Sequence, residues 1–265
     1  MPHVHRLVAT DLDGTIVRSD GTISARTVRV LAALEERGVD VVFVTGRPPR
    51  WMHPIADATG HRGEAICANG AYVYDLHAEQ VTEAFLLEPA LAREVVRRVR
   101  TVLPRPTFAV EAPGGFAHEP GYPARWEVDK PRLAPIEELL DRPWAKLLVR
   151  DESGLGDDLL ALARPVLDGV AEVVHSNSRD SLLEVAAPGV SKASTLARLC
   201  TVRGIAREQV VAFGDMPNDL PLLAWAGTPY AMGNGHAEVL GAVSRRAPAC
   251  DEDGVACVLE DLFGL

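Results

Sequence analysis

The sequence lacks the features of disulfide-stabilised, membrane-spanning and secreted proteins. Only four of its 265 residues are cysteine, and they form no Cys-x-x-Cys pair and no zinc-like spacing with histidine. No uninterrupted apolar run approaches the ~20 residues that span a bilayer. The N-terminus carries no basic and apolar segment of the signal-peptide type. These absences predict reduced thiols, no membrane partner and a cytoplasmic location.

Basic residues are also few. Lysine and arginine total 27 against 37 acidic residues, which gives a formal net charge of -10, and no dense Lys/Arg block occurs. This balance predicts that the chain binds neither nucleic acid nor an anionic membrane. The composition, 47% hydrophobic and 24% charged, is that of a globular protein with one large or two smaller domains. We expect a monomer or a weak homodimer.

The most informative stretch is Asp11-Leu12-Asp13-Gly14-Thr15. The apolar run before it, residues 6–10, predicts a buried strand, so both aspartates emerge at the strand's carboxyl end, where open α/β sheets bind ligands. Two carboxylates so close together favour a hard cation such as Mg²⁺ between them, or a nucleophile and acid that work as a pair. Taken alone, the stretch also fits an ordinary Asp-Gly turn.

Helix and strand patterns alternate at both ends of the chain. Apolar residues at helical spacing follow Ser24, a predicted N-cap, and the β-branched run 39–44 predicts a strand buried on both faces. Residues 49–59 predict a further helix and residues 65–68 a short strand, and the alternation returns over residues 191–232, where residues 217–225 predict a helix. Residues 80–189 differ and predict an inserted α+β domain. We therefore predict an α/β fold: a doubly wound, Rossmann-like parallel-sheet core from residues 1–79 and 190–265, with a second domain inserted.

Further polar residues follow other predicted strands of the core. Thr45-Gly46-Arg47 follows the second strand, Lys192 begins a helix, and the run 214–219 follows a strand near the end of the chain. In a parallel sheet these residues meet Asp11 and Asp13 at one edge. Together they suit phosphoryl transfer, since a carboxylate approaching a phosphate meets repulsion of roughly 4 kcal/mol per pair of unit charges. A divalent cation and a lysine would offset that repulsion.

These four stretches resemble, in order, the four motifs of the haloacid dehalogenase-like hydrolases. The size of the insertion is similar to that of the Cof-type branch, in which an α+β cap lies between the second and third motifs. Turns at Asn69-Gly70, at 231–234 and at 253–256 also match that branch, so the resemblance covers nearly the whole chain. Because an aspartate stands at the nucleophile position, the resemblance implies an active phosphatase.

The resemblance also implies a role for each matching residue. Asp11 would be the nucleophile that forms an aspartyl-phosphate, and it would bind Mg²⁺. Asp13 would protonate the leaving oxygen and then take a proton from water, with its backbone carbonyl on the metal. The remaining roles would be phosphoryl binding by Thr45, Gly46 and the Leu12 backbone, charge neutralisation and orientation of Asp11 by Lys192, metal binding by Asp215, phosphate contact by Asn218, and metal support by Asp219.

Other residues have less specific patterns. Arg47 fits either a second anionic group of the substrate or a surface acid, and Asn69 fits a turn better than a ligand. Candidates for recognising the leaving group lie in the inserted domain, although each fits a structural role better: His118, Arg125, Trp126, His175 and Arg179.

The sequence thus predicts a Mg²⁺-dependent phosphatase of small phosphorylated metabolites, such as sugar phosphates or similar monoesters. A phosphomutase or a glycosyl-phosphate-specific phosphatase could use the same core. A non-catalytic sensor of phosphorylated ligands is the alternative outside the enzymes, and the intact pair of Asp11 and Asp13 argues against it.

Overall fold

The structure is a computed structural model that describes residues 5–113, 115–124 and 131–265, so Arg125 and Trp126 lie outside the described residues. Within these ranges the strands are β1 (Leu7–Thr10), β2 (Asp40–Val44), β3 (Glu64–Cys67), β4 (Tyr72–Asp75), β5 (Gln80–Ala84), β6 (Thr107–Ala112), β7 (Gly115–His118), β8 (Arg132–Leu133), β9 (Lys146–Arg150), β10 (Glu172–Val174), β11 (Leu182–Ala186), β12 (Val210–Gly214), β13 (Thr228–Met232) and β14 (Arg246–Ala247). The helices are α1 (Ala25–Glu36), α2 (His53–Thr59), α3 (Pro89–Val99), α4 (Ile136–Leu139), α5 (Gly156–Leu167), α6 (Lys192–Arg203), α7 (Leu220–Trp225), α8 (Ala237–Ala242) and α9 (Gly254–Phe263).

The chain divides into two compact units, and the first comprises residues 1–47, 51–83 and 191–265. Its sheet has the order β14-β13-β12-β1-β2-β3-β4-β5. The strands from β14 to β3 run parallel, and β4 pairs antiparallel with β3. Side chains of α6, α7 and α8 share a core with alternate residues of β1 and β2, while α1 packs on β2 and on α9. The predicted α/β class with a parallel-sheet core is confirmed.

Local signals in the sequence explain where several of these helices begin and end. The Ser24 side chain accepts the backbone N–H of Thr27 and caps α1. Ser191 and Ser194 form a capping box at the start of α6, and Gly204, at φ 61°, ends it. The cap fixes the first turn of α6, and this turn carries Lys192.

Two predicted helices are shorter than their sequence patterns suggested. The helix expected from Pro49 begins as a 3₁₀ turn, Pro49–Trp51, and α2 starts only at His53. The helix expected from Pro217 is likewise a 3₁₀ turn, Pro217–Asp219, before α7. In the second case the Asp219 side chain accepts the backbone N–H groups of Asp215 and Met216, which tightens the chain where the helix was expected to begin.

The region after β3 also differs from the expected pattern. The predicted strand 65–68 ends at Cys67, because Ala68 and Asn69 adopt left-handed backbone conformations. Strands β4 and β5, which were not predicted from the sequence, then extend the first sheet. The predicted domain boundary at residues 79 and 80 falls at the first residue of β5.

The second unit comprises residues 48–50 and 84–190. Its sheet has the order β10-β11-β9-β6-β7-β8, and its pairs are antiparallel apart from β7 with β8. One face forms an apolar core with α3 and α5, and Leu147 and Val149 of β9 point into it. Because side chains alternate along a strand, Lys146 and Arg150 of the same strand point to the opposite face. This unit is α+β, as predicted for the insertion.

The four cysteines are free thiols, and three of them are buried. None of the helices in the described ranges is both long enough and apolar enough to cross a membrane.

Candidate active site

Three of the candidate residues follow neighbouring parallel strands and therefore lie at one edge of the first sheet. Strand β1 lies between β12 and β2, and the residues that follow the three strands are Asp11, Asp215 and Thr45. The chain continues from β1 to β2 and from β12 to β13, in opposite directions along the sheet, and such a switch point forms a crevice at the carboxyl ends of the strands. The structure therefore brings the first, second and fourth motifs together.

Three buried carboxylates form the centre of this site. Ligand oxygens of Asp11, Asp215 and Asp219 lie within 4.8 Å of one another. Lys192 Nζ, which is also buried, lies 2.8 Å from Asp11 Oδ1 and 2.7 Å from Asp219 Oδ1. One ammonium group thus faces three acidic groups, and the cluster carries excess negative charge when all three are ionised.

The pKa values of the cluster reflect this imbalance. Burial, together with the nearby Asp219 charge, raises the pKa of Asp11 to about 7 in spite of the opposing effect of Lys192. Burial and the charges of Asp11 and Asp219 raise the pKa of Asp215 to about 8. Burial alone would lower the pKa of Lys192, but attraction to Asp11 and Asp219 outweighs it, and the pKa lies above its ordinary value. The site therefore favours a further positive charge, either a proton or a metal ion.

The donor set fits a hard divalent cation. Carboxylate oxygens are the ligands that Mg²⁺ prefers in proteins, and Asp11 and Asp215 each offer one in the cluster. Asp219 is more fully engaged, since its Oδ2 accepts the backbone N–H groups of Asp215 and Met216, both at 3.0 Å, and its Oδ1 accepts Lys192. Asp219 thus holds the loop of Asp215 and also the lysine.

Thr15 contacts this cluster, although its sequence pattern predicts no role for it. Its Oγ1 donates to Asp215 Oδ1 at 3.0 Å, and the residue is buried. The two residues are 200 positions apart, so only the pairing of β1 with β12 brings them together. The position of Thr15 in the first motif was the only sign in the sequence that it belongs to the site. Its hydrogen bond gives it a function there, because the bond orients Asp215.

Asp13 lies outside the buried cluster. Its carboxylate is 59% exposed and accepts two hydrogen bonds from Arg47, from Nε at 2.8 Å and from Nη2 at 2.5 Å. A planar guanidinium held by both carboxylate oxygens is a rigid arrangement. The sequence fitted Arg47 either to an anionic group of the substrate or to an acid of the protein. In the structure it pairs with an acid of the protein, Asp13.

The predicted phosphoryl-binding residues lie next to cluster residues in the sequence or at the end of the adjacent strand β2. Thr45 is buried, and its Oγ1 accepts the backbone N–H of Arg47 at 3.0 Å, so its hydroxyl keeps a hydrogen to donate. Gly46 is partly exposed beside it. Leu12 is fully buried, and its carbonyl caps the following turn by accepting the N–H groups of residues 15–17. Asn218 is buried within the loop of the fourth motif.

Comparison with known proteins decides the family. The family model described as haloacid dehalogenase-like hydrolase matches residues 8–259. The chain belongs to this family. Most of the named relatives of the hydrolase are phosphatases, and the chain is a phosphoric monoester hydrolase, as the sequence predicted.

Two relatives and one solved structure illustrate the similarity. The hydrolase is 29% identical to pyridoxal phosphate phosphatase YbhA of Escherichia coli over 243 residues, which cover 86% of this chain and 88% of the relative. It is 30% identical to phosphoglycolate phosphatase of Methanopyrus kandleri over 257 residues, 97% of each chain. A solved phosphatase of the superfamily from Bacteroides thetaiotaomicron superimposes with a TM-score of 0.84 at 22% identity, covering 100% of this chain and 97% of that one.

The second unit of the hydrolase has its own buried polar residues, which no sequence pattern indicated. On the sheet face opposite the helices, Lys146 pairs with Glu184, and Glu111 pairs with Arg50. Of the earlier candidates, His175 is fully buried and its Nε2 lies 2.8 Å from Asp157, which indicates a structural role. Two other candidates of this unit are His118, which is partly exposed, and Arg179, which is exposed.

Proposed function

We propose that this hydrolase removes phosphate from monoesters of small metabolites, with Mg²⁺ and through an aspartyl-phosphate on Asp11. The observation that carries the proposal is the buried cluster, in which Lys192 holds the Asp11 carboxylate at 2.8 Å beside two further acids. A lysine that fixes one carboxylate oxygen leaves the other oxygen oriented for attack. The same lysine offsets the repulsion between that oxygen and a phosphate dianion.

In the first step an Asp11 oxygen attacks phosphorus, and the bond between phosphorus and the leaving oxygen breaks. Asp13 gives its proton to the leaving oxygen. In the second step water attacks phosphorus, Asp13 accepts the proton of that water, and the bond to Asp11 breaks to release inorganic phosphate. Arg47 holds Asp13 as a carboxylate by two hydrogen bonds, so Asp13 leaves Arg47 and takes up a proton from solvent before it serves as the acid of the first step.

Asp11, Asp215 and the backbone carbonyl of Asp13 would hold the Mg²⁺, with Asp219 supporting them through its loop. When bound, the cation neutralises phosphate charge that Lys192 alone does not balance. Thr45, Gly46, the Leu12 backbone and Asn218 donate hydrogen bonds to the phosphoryl oxygens.

The proposed substrates are small monoesters, with sugar phosphates among them. The names of the relatives include pyridoxal phosphate and phosphoglycolate, and these share a phosphate monoester but differ in the rest of the molecule. This supports a substrate class defined by the phosphoryl group. The predictions of a cytoplasmic location and of a monomer or weak homodimer stay predictions.

Release of inorganic phosphate from a panel of monoesters tests the proposal. The panel holds pyridoxal 5'-phosphate, 2-phosphoglycolate, hexose phosphates and p-nitrophenyl phosphate, each with Mg²⁺ and with EDTA. We expect turnover only with Mg²⁺, and none by Asp11→Asn. Asp57→Asn, a charge-matched change at an exposed position of α2, should retain wild-type turnover. Undiminished turnover by Asp11→Asn, or isomerised substrate without free phosphate, would contradict the proposal.

A second experiment tests the two-step mechanism through Asp13. p-Nitrophenolate leaves without needing a proton, so Asp13→Asn should still form the aspartyl-phosphate but hydrolyse it slowly. Rapid mixing should then show a burst of about one p-nitrophenolate per active site, followed by a slow steady rate. Slow release without a burst would show that Asp13 does not act mainly in the second step.

A further inference from the structure

The turn Ala68-Asn69-Gly70 has an unusual backbone. Ala68 and Asn69 are consecutive non-glycine residues in the left-handed region, at φ 54° and 57°, and Gly70 follows at φ 109°. Ala68 is fully buried and Asn69 is 5% exposed. Left-handed conformations are uncommon for alanine, and they persist where the surrounding structure fixes them.

Contacts from two motifs hold this turn in place. The N–H of Ala68 donates to the Arg47 carbonyl, and that of Asn69 donates to the Thr45 carbonyl, both at 2.9 Å. On the other side, Thr195 Oγ1 of α6 donates to the Gly70 carbonyl at 2.7 Å. The turn is therefore fixed against the backbone of the second motif and against the helix that begins with Lys192.

The Asn69 side chain reaches the fourth motif from this turn. Its Oδ1 accepts a hydrogen bond from Asn218 Nδ2 at 3.1 Å, across 149 positions of the chain. Asn218 is also 5% exposed, and its Oδ1 makes no hydrogen bond to any of the described residues. An amide nitrogen carries two hydrogens, so Asn218 Nδ2 can donate one to Asn69 and the other to a second acceptor.

An asparagine that served only to tolerate the left-handed backbone at position 69 would not need to contact Asn218. Asparagine is favoured in that region, and glycine would adopt it more easily. The Asn69 side chain instead accepts one amide hydrogen of Asn218 and so restrains rotation of the whole Asn218 amide about its side-chain torsion. With that hydrogen occupied, the plane of the Asn218 amide and the direction of its second hydrogen are both set.

We propose that Asn69 is a positioning residue, which orients the Asn218 amide so that its second hydrogen meets a phosphoryl oxygen. The inference rests on the proposed function of Asn218 in binding phosphate. Asn69 contacts no reacting atom in this role. Its backbone is held by a hydrogen bond to Thr45 of the second motif, and its side chain is thereby placed to restrain Asn218 of the fourth motif.

A double-mutant cycle between positions 69 and 218 tests the pairing. Asn69→Gly keeps the backbone conformation and removes the acceptor, and we expect KM for p-nitrophenyl phosphate to rise about tenfold with kcat changed by less than about twofold. Asn218→Ala should raise KM at least as much. The double variant should be no worse than Asn218→Ala, because the role of Asn69 requires the Asn218 amide. Ala68→Gly, a backbone control in the same turn, should leave KM unchanged.

Inorganic phosphate supplies a readout that does not depend on turnover. Phosphate raises the melting temperature of a protein that binds it when folded, and we expect this rise to be smaller in Asn69→Gly and unchanged in Ala68→Gly. Asn69→Ser, whose side chain is too short for the same contact, should behave like Asn69→Gly and replaces it if that variant does not fold.

Two results would overturn the inference: independent, multiplicative effects on KM in the double variant, or an unaltered phosphate-induced shift in Asn69→Gly. Absence of turnover in the wild type would instead contradict the proposed function, and the phosphate shift would still decide the role of Asn69.

Discussion

Replacing Asp11 by asparagine is expected to stabilise the metal-free protein while it abolishes activity. Asp11 is buried beside Asp215 and Asp219, and a single lysine offsets the three charges. The asparagine side chain has nearly the same shape but carries no charge. Lys192 keeps Asp219 as its partner in this variant, so the lysine is not left without a counter-charge.

The pKa of Asp11 gives the magnitude. A value of about 7 in the folded protein, against an ordinary 3.8, corresponds to about 4 kcal/mol of unfavourable free energy for the ionised group at pH 8. The folded state binds more protons than the unfolded state between these two pKa values, so this penalty grows as pH rises through that window. At pH 5 the penalty is less than about half as large, and near pH 3.5 it is close to zero. We therefore expect Asp11→Asn to gain about 2–4 kcal/mol at pH 8 and clearly less at pH 5.

Scanning calorimetry in EDTA at pH 8 and pH 5 measures the effect on the unit that contains the site. A gain of this size raises the melting temperature by about 5–15 °C in a chain of this length. Asp57→Asn on α2, where the carboxylate is 55% exposed, is the matched control and should change stability by less than about 0.5 kcal/mol.

The reasoning is refuted if Asp11→Asn melts below the wild type at pH 8 in EDTA. A gain of equal size at both pH values would also refute it, since the charge of Asp11 would then not be its cause.

Two further predictions concern the same cluster. Lys192→Met should destabilise the metal-free protein by about 3–5 kcal/mol at pH 8, because it leaves buried carboxylates without a cation, and it should abolish phosphate release; a denaturation curve like that of the wild type would contradict this. Mg²⁺ should raise the melting temperature more at pH 8 than at pH 6, because it competes with the protons that Asp11 and Asp215 hold up to pH of about 7 and about 8; a shift independent of pH would show that the cation binds elsewhere.

The main chain of this protein was largely predictable from its sequence. Apolar runs such as residues 39–44 mark buried strands, and Ser24 and Ser191 mark the starts of helices through their own caps. Because parallel strands end at a common edge, the positions of Asp11, Thr45 and Asp215 after three such runs also predicted their convergence. These are local patterns combined with one rule of topology, and a sequence carries both.

The partners of the site residues were decided only by tertiary structure. The contacts of Thr15 with Asp215 and of Asn69 with Asn218 join residues 200 and 149 positions apart, and periodicity contains no information about such pairs. The sequence fitted Arg47 equally to a substrate anion and to an acid of the protein, and only the fold places it against Asp13. The sequence by itself therefore determined which chemical groups meet at the sheet edge. Which of them share a proton, a cation or a hydrogen bond depended on ångström-scale packing, because hydrogen bonds and charge pairing act only over such distances.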